Sequence, residues 1–315
     1  MEPITFLPVY QQRVWGGREL ERVYGRTLPD AHHPFGESWE IVDRPDAQSI
    51  VDHGPLLGTS LHELWTMHRT EIFGDRCGEH PQFPLLIKVL DARADLSIQV
   101  HPPIELAAQF GGEPKTEMWY IADCDAGAKL YVGLKHGVTR EIFEQAIARG
   151  TVAACVHAVM PHPGDSIFIE SGRLHAIGAG FLIHEIQQNS DTTYRVFDWN
   201  RLGLDGQPRP LHVARSLASI DFNDFEPTMD LPVGENLATC RYFKTDRKSL
   251  GSGQTIKTPS PNQFSILSVV EGALVSAHGR RFTKGCFLLM PRGAVPLEAL
   301  EPTTVLLITL PESVN

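Results

Sequence analysis

Short apolar runs, some alternating and some continuous, recur along this chain from Ile4 almost to the C-terminus, each closed by glycine, proline or a polar turn. This pattern constrains the fold more than any other feature. Strand side chains point alternately to the two faces of a sheet, so runs of this length and period describe β-strands. Residues 4–8, 14–17, 36–42, 83–90, 96–102, 115–121, 164–169, 174–178 and 181–187 all read this way. In the third of these, Trp39 and Ile41 are expected to bury on the face opposite Ser38 and Glu40. Many short strands with turns between them predict a mainly β chain built as a jelly-roll barrel rather than a parallel α/β sheet.

Two helices stand out against this background. Ser60 and Glu63 form a capping box that starts a helix running to about Phe73, with Gly74 as its stop and Leu61, Leu64, Trp65 and Ile72 as its apolar face. His62 and His68 fall on its exposed side. Arg140–Arg149 follows Thr139 and ends at Gly150, with a stripe of Ile142, Phe143, Ala146 and Ile147. A shorter helix is expected at 105–110 after Pro102-Pro103. The pairs Gly16-Gly17 and Gly111-Gly112 read as turns. No glycine-rich loop runs into a helix as a phosphate-binding signature would.

The chain has 315 residues, enough for two or three packed modules. A net charge of −10 without any basic run argues against nucleic acid and anionic membrane as partners, while leaving room for a local basic pocket that takes a phosphorylated metabolite. Cys77, Cys124, Cys155, Cys240 and Cys286 are odd in number and scattered, the usage of reduced thiols rather than of a disulfide frame. The N-terminus lacks a signal-peptide pattern, and no stretch approaches the roughly 20 apolar residues that cross a bilayer. The expected location is the cytoplasm, as a monomer or small homo-oligomer.

Residues 221–234, with four acidic residues and two prolines, read as a connector. They divide the chain into a metal-binding barrel with helical insertions at 1–220 and a smaller β domain at 235–315. The second part echoes the first: a shift of 121 residues aligns Gly164 with Gly285, Ile169 with Met290, Gly172 with Gly293 and Leu174 with Val295, but brings His175 onto Pro296. The C-terminal module therefore reads as a degenerate copy that has lost a metal ligand. Two glycine-punctuated hairpins that match by chance are the alternative.

Leu96-Ser97-Ile98-Gln99-Val100-His101-Pro102 places Ser97, Gln99 and His101 on one strand face, with Ile98 and Val100 on the other. Glu117 shares a face with Lys115 and Trp119 on a strand where an unpaired carboxylate is costly to bury. With His175, these residues offer two imidazoles, a carboxylate and an amide from three separated β segments, a donor set that suits zinc, with iron, manganese or cobalt as substitutes. The plainer reading of each histidine is an ordinary polar residue, since the chain has fourteen. Lys88 lies inside an apolar run, where a lysine must be paired or used.

Four stretches carry a specific resemblance. Leu96-Ser97-Ile98-Gln99-Val100-His101-Pro102, Lys115-Thr116-Glu117-Met118-Trp119-Tyr120, Ser171-Gly172-Arg173-Leu174-His175-Ala176-Ile177-Gly178 and Gln187-Gln188-Asn189-Ser190-Asp191-Thr192-Thr193-Tyr194-Arg195-Val196-Phe197-Asp198 resemble the signatures of type I mannose-6-phosphate isomerases in their short bacterial form. These are zinc enzymes of the cupin superfamily, and the resemblance extends from about Pro8 to the C-terminus. It implies cupin-type barrels, one Zn²⁺ per chain, and a sugar phosphate as partner. The implied reaction interconverts mannose 6-phosphate and fructose 6-phosphate through an enediol. The family's metal ligands fall on Gln99, His101, Glu117 and His175, and its active-site arginine on Arg195.

Longer family members carry His-Lys-Pro-Glu where this chain has Pro114-Lys115-Thr116-Glu117, so a ring-opening role for that histidine does not transfer. His184, His136 or water held by the metal are the possible substitutes. Isomerisation needs a base at carbon, a cation for the developing oxyanion and an anchor for the phosphate. Lys88 and Lys115 are the candidate bases, Lys88 slightly ahead, since burial or a neighbouring cation lowers a lysine pKa. Lys88 with Ser97 can instead bind the substrate. Arg195 offers a second fixed positive charge, with an ion pair to Asp191 or Asp198 as its structural alternative. Isomerisation of another sugar phosphate, or sugar binding without turnover, are the competing functions.

Overall fold

The apolar run around Ile87 becomes the strand Leu85–Ala92, and every residue of it is buried. It has a barrel interior on one face and a second barrel on the other. In the computed structural model, which describes residues 1–75, 77 and 80–311, the first barrel closes a six-stranded sheet over a five-stranded one. The larger sheet runs in the order Ser166–Ile169, Glu117–Cys124, Phe181–Gln188, Leu85–Ala92, Phe35–Ile41, Val9–Gly17. The smaller runs Val156–Val159, Leu130–Leu134, His175–Ile177, Ile98–Val100, Tyr194–Phe197. The residue pairings within both are antiparallel, as a jelly roll requires.

The second barrel repeats this order with one strand fewer in each sheet. Its larger sheet runs Phe287–Met290, Ser265–Glu271, Thr303–Thr309, Lys244–Leu250, Asn236–Thr239, and its smaller sheet contains Arg281–Thr283, Ala273–Val275, Leu297–Ala299 and Thr255–Ile256. The 121-residue shift carries Ser166–Ile169 onto Phe287–Met290. The left-handed glycines Gly164 (φ 94°) and Gly172 (φ 94°) recur as Gly285 (φ 85°) and Gly293 (φ 64°). Both pairs supply positive φ at tight turns, which residues with a Cβ rarely adopt. The interior of the second barrel is apolar, filled by Leu267, Val269, Leu274, Phe282, Leu288, Leu297 and Leu307 among others.

The two larger sheets pack against each other. Ile87, Val89, Met118 and Ile186 from the first meet Ile266, Phe287, Leu289, Leu306 and Ile308 from the second in one apolar cluster. Trp65, Phe73 and Phe83 extend it to Phe264, with ring centroids 4.9–5.7 Å apart. The N-terminus takes part too, since Ile4 exchanges backbone hydrogen bonds with Leu289. This packing explains a departure from simple alternation. Phe35–Ile41 is buried on both faces: Ser38 and Glu40, expected outside, instead receive Arg26, whose guanidinium also donates to Gly285 O across the joint.

The predicted helices form with three adjustments. The capping box at Ser60 and Glu63 is present, but the helix breaks at His68 into Leu61–Met67 and Arg69–Ile72. Arg140–Arg149 has the Thr139 cap and Gly150 stop; Phe143 and Ala146 are buried against the smaller sheet, whereas Ile142 is exposed. The helix after Pro102-Pro103 is Ile104–Ala107. Gly16 and Gly17 lie inside the strand Val9–Gly17 rather than in a turn; a Cβ on Gly16 would sit 2.3 Å from Gly36 N.

His184 is a buried polar contact in the joint. Its Nε2 lies 2.6 Å from the Tyr24 hydroxyl and its Nδ1 2.9 Å from Ser268 Oγ of the second barrel. Burial, and then the charges of Arg26 and Lys284, push its pKa down to about 3. The unfolded chain takes up this proton near pH 6.5, so between about 6.5 and 3 it holds more protons than the folded chain, and stability falls as pH falls. Urea unfolding at pH 7 and pH 5 should show wild type losing more stability than His184→Gln, by about 2 kcal/mol. Equal losses would contradict the assignment.

Candidate metal centre and active site

Strand register gathers residues that are far apart in sequence. In the smaller sheet His175 stands opposite Gln99, and Gln99 opposite Arg195, so all three share one face. In the larger sheet Glu185 stands between Lys88 and Trp119, and Gln187 opposite Glu117. Both rows face the interior of the first barrel. His101 follows directly on the Ile98–Val100 strand.

His101, Glu117 and His175 converge so that one ligand atom from each lies within 4.8 Å of the others, and all three residues are buried. His101 Nε2 is 3.6 Å from Glu117 Oε2, and His175 Nε2 is 3.7 Å from Glu117 Oε1. Each imidazole turns Nδ1 to a backbone carbonyl, His101 to Thr192 O and His175 to Arg173 O, both at 2.9 Å. A carbonyl only accepts, so Nδ1 carries the proton and Nε2 keeps its lone pair. Burial, and then Lys115 for His101 and His101 for His175, lower both imidazole pKa values, that of His175 to about 3. Both rings are therefore neutral, as metal ligands must be.

Three buried polar atoms at this point, His101 Nε2 and both Glu117 oxygens, have no hydrogen-bond partner. Lys115 Nζ is 2.7 Å from Glu117 Oε2 but poorly directed for a hydrogen bond. Burial raises the Glu117 pKa, yet Lys115 and then His101 outweigh it and hold the carboxyl well below the usual range. Unpaired buried donors and acceptors cost about 1–3 kcal/mol each, more when charged, so their convergence calls for a cation. Two neutral imidazoles and a carboxylate are a donor set that fits a divalent metal. The Gln99 amide lies 3.3 Å from His175 Nε2, at the edge of the same cluster.

Beside the cluster opens a cavity of about 540 Å³, whose wall includes His175, Gln99, Lys115, Glu185, Lys88 and Arg195. His101 and Glu117 lie behind that wall. Ser97 joins its two sides, accepting from Arg195 Nε at 3.3 Å and donating to Gln99 Oε1 at 3.1 Å. Arg195 makes no ion pair with either Asp191 or Asp198: Asp198 is held by Arg201 and Arg209, and Asp191 lies 3.8 Å from Lys88. Burial, and then the Arg209 charge, lower the Arg195 pKa.

The lysines sit in surroundings the sequence did not reveal. Lys88 is not in an apolar setting; carboxylates of Glu185, Glu37 and Asp191 stand 3.5, 3.7 and 3.8 Å from its Nζ, and the Trp39 ring lies beneath it. Burial lowers the Lys115 pKa, but Glu117 and Glu185 together raise it above the usual value. Glu185 itself was missed. It accepts from Trp119 Nε1 at 3.0 Å, and burial followed by Glu117 raises its pKa. Its signal was the one that singled out Lys88, a charge within an apolar strand. His184 and His136 do not reach the cavity: the first is in the joint between the barrels and the second is exposed beside Glu226.

A family model, phosphomannose isomerase type I catalytic domain, matches residues 4–128. Mannose-6-phosphate isomerase ManA of Bacillus subtilis is 38% identical over 305 residues, covering 93% of this chain and 94% of that protein. The chain belongs to the type I phosphomannose isomerase family. A second member from the same organism, the probable mannose-6-phosphate isomerase GmuF, is 42% identical over 279 residues and 86% of each chain. The crystal structure of the Bacillus subtilis mannose 6-phosphate isomerase superposes with a TM-score of 0.87 at 31% identity, covering 98% of this chain and all of that one. At 98% coverage, that superposition takes in both barrels of this chain.

If the cluster holds a metal, elemental analysis of purified protein should find near-stoichiometric metal in wild type and a loss of at least tenfold in His175→Ala, with activity falling in parallel. Retained metal and full activity in that variant would contradict the ligand assignment.

Proposed function

We propose that this protein interconverts mannose 6-phosphate and fructose 6-phosphate through an enediol, with one zinc ion per chain held by His101, Glu117 and His175. Gln99 is the fourth ligand in this reading, a half-turn of its amide bringing oxygen rather than nitrogen toward the cluster. When bound, zinc supplies positive charge that polarises the sugar's oxygens and stabilises an enediolate. The observation that carries the proposal is the convergence of two imidazoles and a carboxylate, three of whose buried polar atoms have no hydrogen-bond partner, beside a cavity lined by an arginine that has no carboxylate partner among the described residues.

The chain's own groups do the rest. Isomerisation removes a proton from C2 of the aldose and returns it to C1, while the hydroxyl proton passes from O2 to O1. Lys115 and Glu185, 3.7 Å apart on the cavity wall, are the pair across which the carbon-bound proton is carried. Lys88, 3.5 Å from the same Glu185 oxygen, fixes that carboxylate and reaches the sugar hydroxyls. Ser97 binds the substrate next to Arg195, whose charge faces the developing oxyanion. Trp15, Leu90 and Ile177 add apolar wall that limits water.

We assign the catalytic unit to residues 1–220 and a covering role to 235–315, since the described residues lining the cavity all lie between Gln12 and His212. No described helix is long and apolar enough to cross a membrane. Five free thiols fit a reducing cytoplasm.

A coupled assay on mannose 6-phosphate tests the reading. Activity should disappear on chelation and return with zinc, and Arg195→Ala should keep its metal while losing at least a hundredfold in kcat/KM. A zinc-loaded wild type that turns over no mannose 6-phosphate would overturn it.

A further inference from the structure

The cavity has a second, more cationic end, built by the segment between Phe197 and Val213. Trp199 and Asn200 take left-handed backbone (φ 55° and 54°). The segment is then pinned by Trp199 Nε1 on Leu96 O and by the backbone hydrogen bond from Gly203 N–H to Gln207 O. It brings Arg209 and His212 to the cavity beside Arg195.

Each of these side chains has a nitrogen left without a partner. Arg209 spends Nε and Nη2 on Asp198, at 2.7 and 2.5 Å, which leaves Nη1. His212 accepts the Arg195 backbone N–H at Nδ1, 3.2 Å away, so its proton is on Nε2. Arg195 uses Nε on Ser97 and Nη1 on Pro210 O, leaving Nη2. The charge here is unbalanced: Asp198 is the single carboxylate paired with both Arg201 and Arg209, and Arg195 has none among the described residues. Asp205 is also on the rim, but its carboxylate accepts the Gln207 amide. The opposite end differs, with Lys88 and Lys115 facing Glu37, Glu117, Glu185 and Asp191 at 2.7–3.8 Å.

We propose that Arg209 Nη1 and His212 Nε2–H form the subsite for the substrate's phosphomonoester dianion, with Arg195 between it and the reacting carbons. This rests on the sugar-phosphate reading above. A dianion at Lys88 would approach three carboxylates, whereas at Arg209 it meets Asp198, already shared by two arginines, and Asp205 on the rim. The separation suits the ligand. Successive strands carry His175, Gln99 and Arg195, and His212 N–H bonds to Arg195 O one step beyond. That places the His212 backbone roughly 14 Å from that of His175, with side chains from both ends reaching inward. A six-carbon chain with a terminal phosphate spans the space that remains.

Arg209→Met should raise KM for mannose 6-phosphate about 10- to 100-fold with kcat changed less than about threefold, and should weaken inorganic phosphate binding, measured by calorimetry on zinc-loaded protein, by a similar factor. Arg209→Lys should restore part of both losses, because it keeps the charge without the planar fork. His212→Phe, which leaves the Arg209–Asp198 pair intact, should weaken phosphate less, and Lys88→Met should leave phosphate affinity unchanged. Bound metal equal to wild type in all four variants excludes misfolding as the cause. Wild type that binds phosphate but does not isomerise the sugar would defeat the activity reading and leave the subsite standing. Active wild type with unchanged KM and phosphate affinity in both Arg209→Met and His212→Phe would overturn the subsite, as would loss of phosphate binding in Lys88→Met alone.

Discussion

Two backbone carbonyls decide what the centre of this protein can do. Thr192 O and Arg173 O take the Nδ1 protons of His101 and His175, and this aims two lone pairs at one buried carboxylate. Without these hydrogen bonds either ring is free to turn its N–H inward and exclude a cation. The loops that carry the carbonyls are tied down in turn. Gln187 Nε2 donates to Ser190 O at 2.6 Å, bracing the turn before Thr192, and Arg173 makes a two-point contact with Asp224. Gly172 N–H donates to His101 O, which links the two ligand loops directly. The signature stretches are therefore largely loop-fixing sequence around a few ligating atoms.

The second barrel explains why such a costly interior is tolerated. A buried charged cluster needs rigid walls, and the outer face of the larger sheet gains its rigidity by packing against the matching sheet of the second barrel. The copy retains strand order and turn glycines but has Pro296 at the place of His175 and an apolar filling in place of a cavity. The candidate site lies in the first barrel, and the second packs against its larger sheet. His184 and the Arg26 contacts give that joint polar partners that fit in only one register.

Period-two alternation made the strands legible, and with them the shared face of Gln99 and His101 and that of Lys115, Glu117 and Trp119. The capping box at Ser60 and the Thr139 and Gly150 bounds were equally local and equally readable. What remained hidden depends on pairing between distant strands. Nothing near Lys88 in sequence announces Glu37, Glu185 or Asp191, and the burial of Ser38 and Glu40 follows from a barrel that begins some two hundred residues later. Arg209 and His212 lie on an irregular segment whose side chains acquire a common direction only through Asp198 and the Arg195 backbone. Single-chain periodicity carries no information about such contacts.

The metal site proposed here rests on the convergence of one ligand atom each from His101, Glu117 and His175. Anomalous diffraction at the zinc edge from crystals of the zinc-loaded protein tests it most directly. One peak per chain is expected, about 2 Å from His101 Nε2, His175 Nε2 and a Glu117 oxygen. A cluster without a peak in protein that carries stoichiometric zinc, or a peak bound by other residues, would contradict it.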